Sequence, residues 1–448
     1  MHDDNLTADD LHEAEERGLT ESEIRRQIAL FRNPPPPARL VRPCTIGDGI
    51  VRLSPEEHPR LVVRWEEAAV RGRLSKFVPA SGAASRMFES LDTTDGRNRL
   101  LDNLFRFPFY GDLAAACRRC GWDLTRGRPE EILRALLGPI GLGYAALPKA
   151  LIPFHRYDTE NRTAFEEQLV EASSTVRDVA RTARVHFTVA PEHEARFRTL
   201  LEASRLRLER AHGVRLEVTF SHQSPSTDTI AVDLSNRPFR DGDGKLVFRP
   251  GGHGALLPNL EALGGDVVFV KNIDNAQRGA AAETAVAWKK LLAGYLMGLE
   301  EEARAARRPV RVCGVVAATG EPGGGPFWVE GRDGEVAPQI VESAQVDADS
   351  ERQKAVFRSS THFNPVDLVC SLRDARGAPY RLQDFVDPST VFISKKSRDG
   401  RPLKALERPG LWNGAMAGWR TVFVEVPPET FSPVKTVFDL LRPEHQVD

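Results

Sequence analysis

From residue 162 onward the chain alternates between two periodicities, and that alternation limits its fold more than any other feature. RTAFEEQLVEA (162–172) suits a helix, VHFTV (185–189) a buried strand, 192–211 a long amphipathic helix and LEVTF (216–220) another strand. An apolar run at 267–270, an alanine- and leucine-rich helical stretch at 281–308 and a strand-like run at 310–316 continue the series. Strands interleaved with helices predict an α/β fold, a mostly parallel central sheet with helices on both faces. Ligands in such sheets bind beyond the carboxyl ends of the strands, so the polar loops that follow the apolar runs are where chemistry is expected.

The first such loop lies in SKFVPASGAASRM (75–87). A short apolar strand stops at Ser81, Gly82, Ala83, Ala84 and Ser85, small residues that let backbone N–H groups approach an anion closely, and Arg86 adds positive charge. Met87 begins an apolar run suited to anchoring the next segment. In LPKALIPFH (147–155), Lys149 sets an ammonium beside another apolar run, a group able to neutralise charge moving between phosphates. Later loops supply Gln223 in SHQSPSTDT (221–229), which suits a base edge, and Gly251, Gly252 and His253 in FRPGGHGALLPNL (248–260), flat enough to lie against a planar ring. DVVFVKNIDNA (266–276) ends its strand in Asn272, Asp274 and Asn275, where a carboxylate can hold Mg²⁺ against phosphates. GEPGGGPFWV (320–329) reads as a mobile or close-approach loop around Gly324, with Phe327 and Trp328 offering faces to a sugar ring. Glu342 suits sugar hydroxyls, and Lys395, Lys396 and Lys404 suit an anionic substrate.

Residues 1–45 read as an N-terminal helical extension ended by the prolines at 34–37, with Leu11, Ala14, Leu19, Ile24 and Ile28 as its apolar stripe. Residues 46–440 read as the main unit, entered through a capping box at Ser54 and Glu57, with a helical insertion at about 97–140, a lid or cap whose core faces include Leu100, Leu101, Leu104 and Phe105. Residues 441–448 read as a tail. Residues 141–146 spell GxGxxA, but no strand precedes them and Pro148 follows, so a dinucleotide fingerprint is rejected. A net charge of −2 without a long basic stretch argues against nucleic acid. Five cysteines, an acidic N-terminus and the lack of a spanning apolar run predict a soluble cytoplasmic protein with free thiols; Cys117 and Cys120 alone do not make a zinc site.

Taken in order, these segments resemble the eukaryotic-type UDP-N-acetylhexosamine pyrophosphorylases and their UDP-glucose relatives over roughly residues 60–440. That family carries an LxGGxGTRLG turn and a ProLys motif, to which 81–86 and Lys149 are similar; Gly82 is the only glycine of the turn here, and Ser85 stands where the family has threonine. The resemblance implies triphosphate binding at that turn and at Lys149, uracil contact by Gln223, base and sugar contact by PGGHGA with His253 in place of asparagine, and a metal on Asp274 from IleAspAsn. QIVESAQ resembles a VVEYSE strand that holds the sugar and points to Glu342; FNPVD is loosely similar to a NIxNH segment and points to Asn364. Lys395 and Lys396 resemble a LysLysIle motif that reaches the phosphates, and FSPVKT (431–436) resembles FSPLKN. Asn275 and Gly324 join Glu342 and Asn364 as sugar candidates. PKALIPFH, STDTIAVD, FRPGGHGALLPNL, GEPGGGPFWV, THFNPVDLVC and GLWNGAM are similar to motifs of a bacterial family defined by a domain of unknown function, family 4301, across nearly the whole chain. That likeness implies the nucleotide-diphospho-sugar transferase (GT-A-like) fold.

The expected activity is Mg²⁺-dependent nucleotidyl transfer between a nucleoside triphosphate, UTP first, and a sugar 1-phosphate. Arg86, Lys149 and one of Lys395 or Lys396 would stabilise phosphoryl charge. Two rivals stay open. A glycosyltransferase on the same scaffold would use an AspxAsp motif, which Asp347 and Asp349 spell, and a non-catalytic sugar-nucleotide-binding protein would need no turnover.

Overall fold

A computed structural model describes residues 6–124, 127–305, 307–320 and 323–446; Glu321 and Pro322 of the glycine-rich segment, and the ends of the expected extension and tail, lie outside them. The interleaved pattern folds as predicted. We number eight strands of the central sheet β1 (Gly49–Val51), β2 (Leu74–Pro79), β3 (Thr182–Thr188), β4 (Arg215–Ser221), β5 (Val267–Lys271), β6 (Val310–Ala317), β7 (Asp367–Ser371) and β8 (Arg420–Glu425). Their order across this 10-stranded sheet is β1-β8-β6-β7-β5-β2-β3-β4, with Thr45–Ile46 outside β1 and His362–Phe363 added to β6. All of these neighbours run parallel except β7, which is antiparallel to both β5 and β6.

Helices His58–Val70, Ala164–Thr175, Glu194–His212 and Gly279–Ala305 cover the sheet. A strand covered on both faces is mostly apolar, and all five residues of β5 are buried, four of them apolar and the fifth Lys271. The Ser54–Glu57 capping box forms as expected. Thr163 caps helix Ala164–Thr175, and Glu166 completes a capping box with it. That first turn is buried: Glu166 meets Arg207, Glu167 meets His155 and Tyr157, and Gln168 meets the loop after β5.

The segment at 97–140 forms helices Thr94–Asp102, Tyr110–Arg119 and Pro129–Leu137, whose Leu100, Leu113, Ile132 and Leu136 join the same core as β2 and β5. Phe105, expected on the core face, is 62% exposed, because a short 3₁₀ turn there swings the chain and puts Phe107 and Phe109 inside instead. Helices Ala8–Glu16, through Ala14, and Glu21–Arg32, through Ile24 and Ile28, share a core with Ile230, Val232 and Leu406 of a separate four-stranded sheet. Among the described residues no helix is long and apolar enough to cross a membrane.

Candidate active site

β2 and β5 are parallel and in register, so the loops after Pro79 and Lys271 leave the sheet side by side. The small-residue turn is closed by the ProLys segment: Ala84 N–H donates to the Leu147 carbonyl at 2.9 Å, and Lys149 N–H donates to the Gly82 carbonyl at 3.1 Å. Ser81, Gly82, Ala83, Ser85 and Arg86 are exposed. Among the described residues the N–H groups of Ser81, Gly82 and Ala83 meet no protein acceptor, so three donors with little side-chain cover face outward. The chain then continues as a run of 3₁₀ turns over Ser85–Asp92, anchored by buried Met87 and Phe88.

Lys149 Nζ lies 3.3 Å from Asp274 Oδ2 and donates to the Val434 carbonyl at 2.9 Å. Lys435 Nζ, from FSPVKT, reaches the same Asp274 oxygen at 3.0 Å. Burial depresses the Lys149 ammonium below the usual lysine range; Asp274 opposes that shift, and the charges of Lys435 and Arg86 add to it. The turn, the ProLys lysine and the aspartate after Ile273 therefore form one cluster. Asp274 Oδ1 is buried and has no hydrogen-bond partner among the described residues. Lys395 and Lys396 are not among the groups that contact Asp274 there; they sit exposed on strand Phe392–Arg398, opposite Lys404 and Leu403. The ammonium at the aspartate comes from Lys435, which the sequence reading quoted only as part of a motif.

A series of side chains leads away from this cluster, its first step made through charge rather than contact. Lys435 acts electrostatically on Glu342, whose carboxyl is raised by burial and held back by the Trp412 indole N–H at 3.3 Å, Asn413 and Lys435. Trp412 stacks on His253 at 4.1 Å between ring centroids, and His253 Nδ1 accepts from the Leu411 N–H at 2.9 Å. Burial takes the His253 imidazole down to about 4, so it stays neutral. Gly252 has a φ of +74°, and a Cβ there would lie 2.8 Å from the Glu407 carboxylate; a Cβ on Gly251 would lie 2.6 Å from the Thr227 carbonyl, one residue before Asp228. Asp228 Oδ1 accepts from Gln223 Nε2 at 3.1 Å. Segments separated by more than two hundred residues thus make a track from Asp274 to Gln223.

The remaining candidates fall as follows. A Cβ on Gly324 would crowd Glu342 at 3.0 Å, and the Gly324 carbonyl accepts from Asn364 N–H at 2.8 Å, so the triple glycine is a close-approach loop. Asn364 is buried and accepts from the N–H of Val366, a β-branched residue held at φ +57°, a conformation such side chains rarely adopt. Asn275 is fully buried; its Oδ1 accepts from Ser432 N–H at 3.0 Å, and its Nδ2 lies 3.4 Å from the Thr430 carbonyl, so its amide ties the Asp274 loop to the lysine-bearing segment. Phe327 and Trp328 do not face this track: Phe327 is buried against Phe357, and the Trp328 indole points to the Asp48 carbonyl under the Arg42 guanidinium. The aromatic beside Glu342 is Trp412. Asp347 accepts from the Asp349 N–H within its own turn.

Beneath the Asp274 loop lies a charged network that sequence reasoning did not find. Glu171 receives Lys76 of β2 at 2.6 Å and Lys271 of β5, and Lys289 lies 3.6 Å away while bonding to Asp367. All three lysines are fully buried. Burial takes Lys76 down to about 7 and depresses Lys271; in Lys289 the pull of Asp367 and Glu171 outweighs burial and raises it. Lys271 also donates to Gln277, which donates to the Thr430 carbonyl at 2.8 Å, and Gln168 Nε2 lies 3.2 to 3.5 Å from the carbonyls of Asn272, Ile273 and Asn275. A cavity of about 400 Å³, lined in part by Ser75, Arg184 and His186, lies toward the other ends of these strands and is not part of the track.

The family described as Domain of unknown function (DUF4301) matches residues 7–307 and 303–446. The chain belongs to the DUF4301 family. Among curated proteins there is no match. Solved structures share the fold of this DUF4301 protein. The UDP-N-acetylglucosamine pyrophosphorylase of Trypanosoma brucei is 15% identical, with a TM-score of 0.53 over 94% of this chain and 74% of its own. A point variant of the UDP-glucose pyrophosphorylase of Leishmania major gives 0.53 at 15% identity over 98% and 79%; another variant of that enzyme, solved with UDP-glucose, gives 0.50 at 14% over the same shares. The mixed, mostly parallel sheet of the DUF4301 protein is therefore that of the sugar-nucleotide pyrophosphorylases and the wider GT-A-like group.

Proposed function

We propose that the protein is a nucleotidyltransferase that joins a nucleoside triphosphate, UTP first, to a sugar 1-phosphate and releases pyrophosphate. The observation that carries this reading is the convergence of Lys149, Asp274 and Lys435 beside an open turn with three unengaged N–H donors. A sugar 1-phosphate oxygen forms a bond to the α-phosphorus, and the bond from that phosphorus to its bridging oxygen breaks, the electron pair leaving with pyrophosphate. The attacking oxygen is already anionic, so positioning and charge stabilisation do the work and no general base is required. The N–H groups of Ser81, Gly82 and Ala83, with Ser85 and Arg86, hold the triphosphate; Lys149 and Lys435 turn from Asp274 to the phosphates as their negative charge arrives. Lys435 takes the part expected of Lys395 or Lys396.

Among the described residues no three His, Cys, Asp or Glu side chains gather as a metal site. A single carboxylate with an unengaged buried oxygen nevertheless suits Mg²⁺, which commonly takes one or two carboxylates and completes its shell with phosphates and water. Asp274 would hold it, and when bound it would supply further neutralisation of phosphate charge. Gln223, Gly251, Gly252 and His253 take the base; Glu342, Asn364 and the Gly324 backbone take the sugar, while Asn275 positions the loop. Five free cysteines support a reducing, cytoplasmic setting.

The test is pyrophosphate release from a panel of nucleoside triphosphates and sugar 1-phosphates. The wild type should turn over, and Lys149→Ala and Asp274→Ala should each lose about 100-fold or more in kcat. Turnover that both variants match would overturn the site, and a wild type inert with every pair would overturn the function.

A further inference from the structure

Asp274 and Lys435 come from distant segments, and buried amides beneath them hold one against the other. The Lys435 segment is tied down at three points. The Ser432 N–H donates to Asn275 Oδ1 at 3.0 Å, the Val434 N–H donates to the Asp274 carbonyl at 3.0 Å, and the Thr430 carbonyl accepts from Gln277 Nε2 at 2.8 Å. Gln277 Nε2 also donates to Asn275 Oδ1 at 2.5 Å, so the acceptor of Ser432 is itself held by Gln277. Gln277 Oε1 accepts from the Lys271 ammonium at 2.9 Å, and Lys271 bonds in turn to Glu171. Lys271, Asn275 and Gln277 are all buried.

An ammonium donates hydrogen bonds and accepts none, so Gln277 must turn its oxygen to Lys271 and its nitrogen to Asn275 and Thr430. Turned over, the amide would set nitrogen against ammonium and oxygen against two oxygens. Glu171 thus fixes Lys271, Lys271 fixes the Gln277 amide, and that amide fixes both the Thr430 carbonyl and the oxygen that receives Ser432. We infer that Gln277 is a positioning residue for phosphoryl transfer: held by the buried Lys271, it sets segment 430–435 so that Lys435 stands at Asp274, within reach of the phosphates. Gln277 itself touches no substrate and acts through Lys435. The inference rests on the proposed function for its last step, the turn of Lys435 to the phosphates; the hold on the segment stands on the amides alone.

The decisive variant is Gln277→Glu. Its shape is nearly that of the amide, and the new carboxylate still accepts from Lys271. It adds a negative charge to a buried set in which Lys76, Lys271 and Lys289 face only Glu171 and Asp367, so it is expected to fold. What it loses is the donors: oxygen then faces the Thr430 carbonyl, and the Asn275 amide turns its nitrogen to the carboxylate and gives up Ser432. Gln277→Met, without charge or donors, is the second variant. Amide exchange of the full chain, read by mass spectrometry, should show residues 430–436 exchanging about tenfold faster or more in both variants, with β5 and helix Ala164–Thr175 as protected as in wild type. A merely structural defect accelerates all three regions together. In initial rates of pyrophosphate release, Gln277→Glu should lower kcat about tenfold or more, and by no more than about threefold in the Lys435→Met background. Unchanged exchange at 430–436 overturns the inference, as does loosening of all three regions or a loss of kcat that persists in full without Lys435. A wild type inert with every substrate pair overturns the proposed function, and exchange still decides whether Gln277 holds the segment.

Discussion

Lys435 and Lys396 are alike in type, and only their surroundings separate them. Lys435 is held at Asp274 beside a second ammonium, whereas Lys396 lies on an exposed strand in a different sheet. Charge near developing charge lowers a barrier, and charge in open solvent is screened. Lys435→Met should therefore cut kcat by about 100-fold, with Lys395→Ala and Lys396→Ala each within about threefold of wild type, read from initial rates of pyrophosphate release. The sequence marked FSPVKT but assigned its lysine no role, because a lysine in a loop has no periodicity to say where it points. The same limit explains Trp328 and Trp412: one follows a glycine triplet and the other a lone glycine, and only the contacts of distant segments decide which indole lies beside Glu342. Asp274 could be located because it follows an apolar strand, whereas Lys149 precedes its apolar run and was marked by the ProLys pair alone.

At the scale of elements, every long helix and parallel strand from 162 to 316 follows from periodicity, while the direction of β7 does not. VDLVC is as apolar as its parallel neighbours, and its direction is set by the connection that brings the chain in from His362–Phe363. The strands do carry a sequence trace of the buried network: Lys76 and Lys271 interrupt the apolar runs of β2 and β5 at inward positions. Three lysines face two carboxylates, Glu171 and Asp367, and the positions are not equivalent. Removing Glu171 leaves buried ammonium groups without their shared partner, so Glu171→Leu should cost about 3–5 kcal/mol or prevent folding. Lys76→Met leaves a balanced set and should cost much less. The Lys76 pKa is about 7 in the folded protein against an ordinary 10.5, so the unfolded state binds more protons between those values and stability rises with pH across that window. Urea unfolding at pH 7, 8 and 9 should show that rise in wild type, with a slope approaching ~1.4 kcal/mol per unit, and a flatter dependence in Lys76→Met.

Over the whole molecule, the last residues close the site. The chain passes Pro433, bridged to Asn275, delivers Lys435 to Asp274, and turns back through Val437–Leu441 and Pro443–His445. Within residues 441–448, expected as a tail, His445 is docked: it is 1% exposed, with Nδ1 2.8 Å from His155 Nε2, while Arg442, Pro443 and Glu444 stay exposed. His155 Nδ1 lies 2.8 Å from Glu167 Oε1, which also accepts from the Tyr157 hydroxyl at 2.7 Å. Glu167 holds the His155 proton on Nδ1, which leaves Nε2 to accept from His445. Burial, then the charges of His155, Arg442 and Arg278, push His445 down to about 3, with only the Ser432 backbone opposing. Below its ordinary 6.5 the unfolded chain therefore takes up a proton that the docked histidine refuses, and docking weakens as pH falls from about 6.5 toward 3. Strand Pro153–Arg156, which carries His155, follows closely on the ProLys segment, so loosening at His445 is expected to reach both the Lys435 and the Lys149 sides of Asp274. Amide exchange of residues 431–446 should accelerate between pH 6 and pH 4 while β5 stays protected, and His445→Phe, which removes the titrating ring, should show a smaller acceleration over the same interval. Equal acceleration in both proteins would place the acid-sensitive group elsewhere than at the histidine pair.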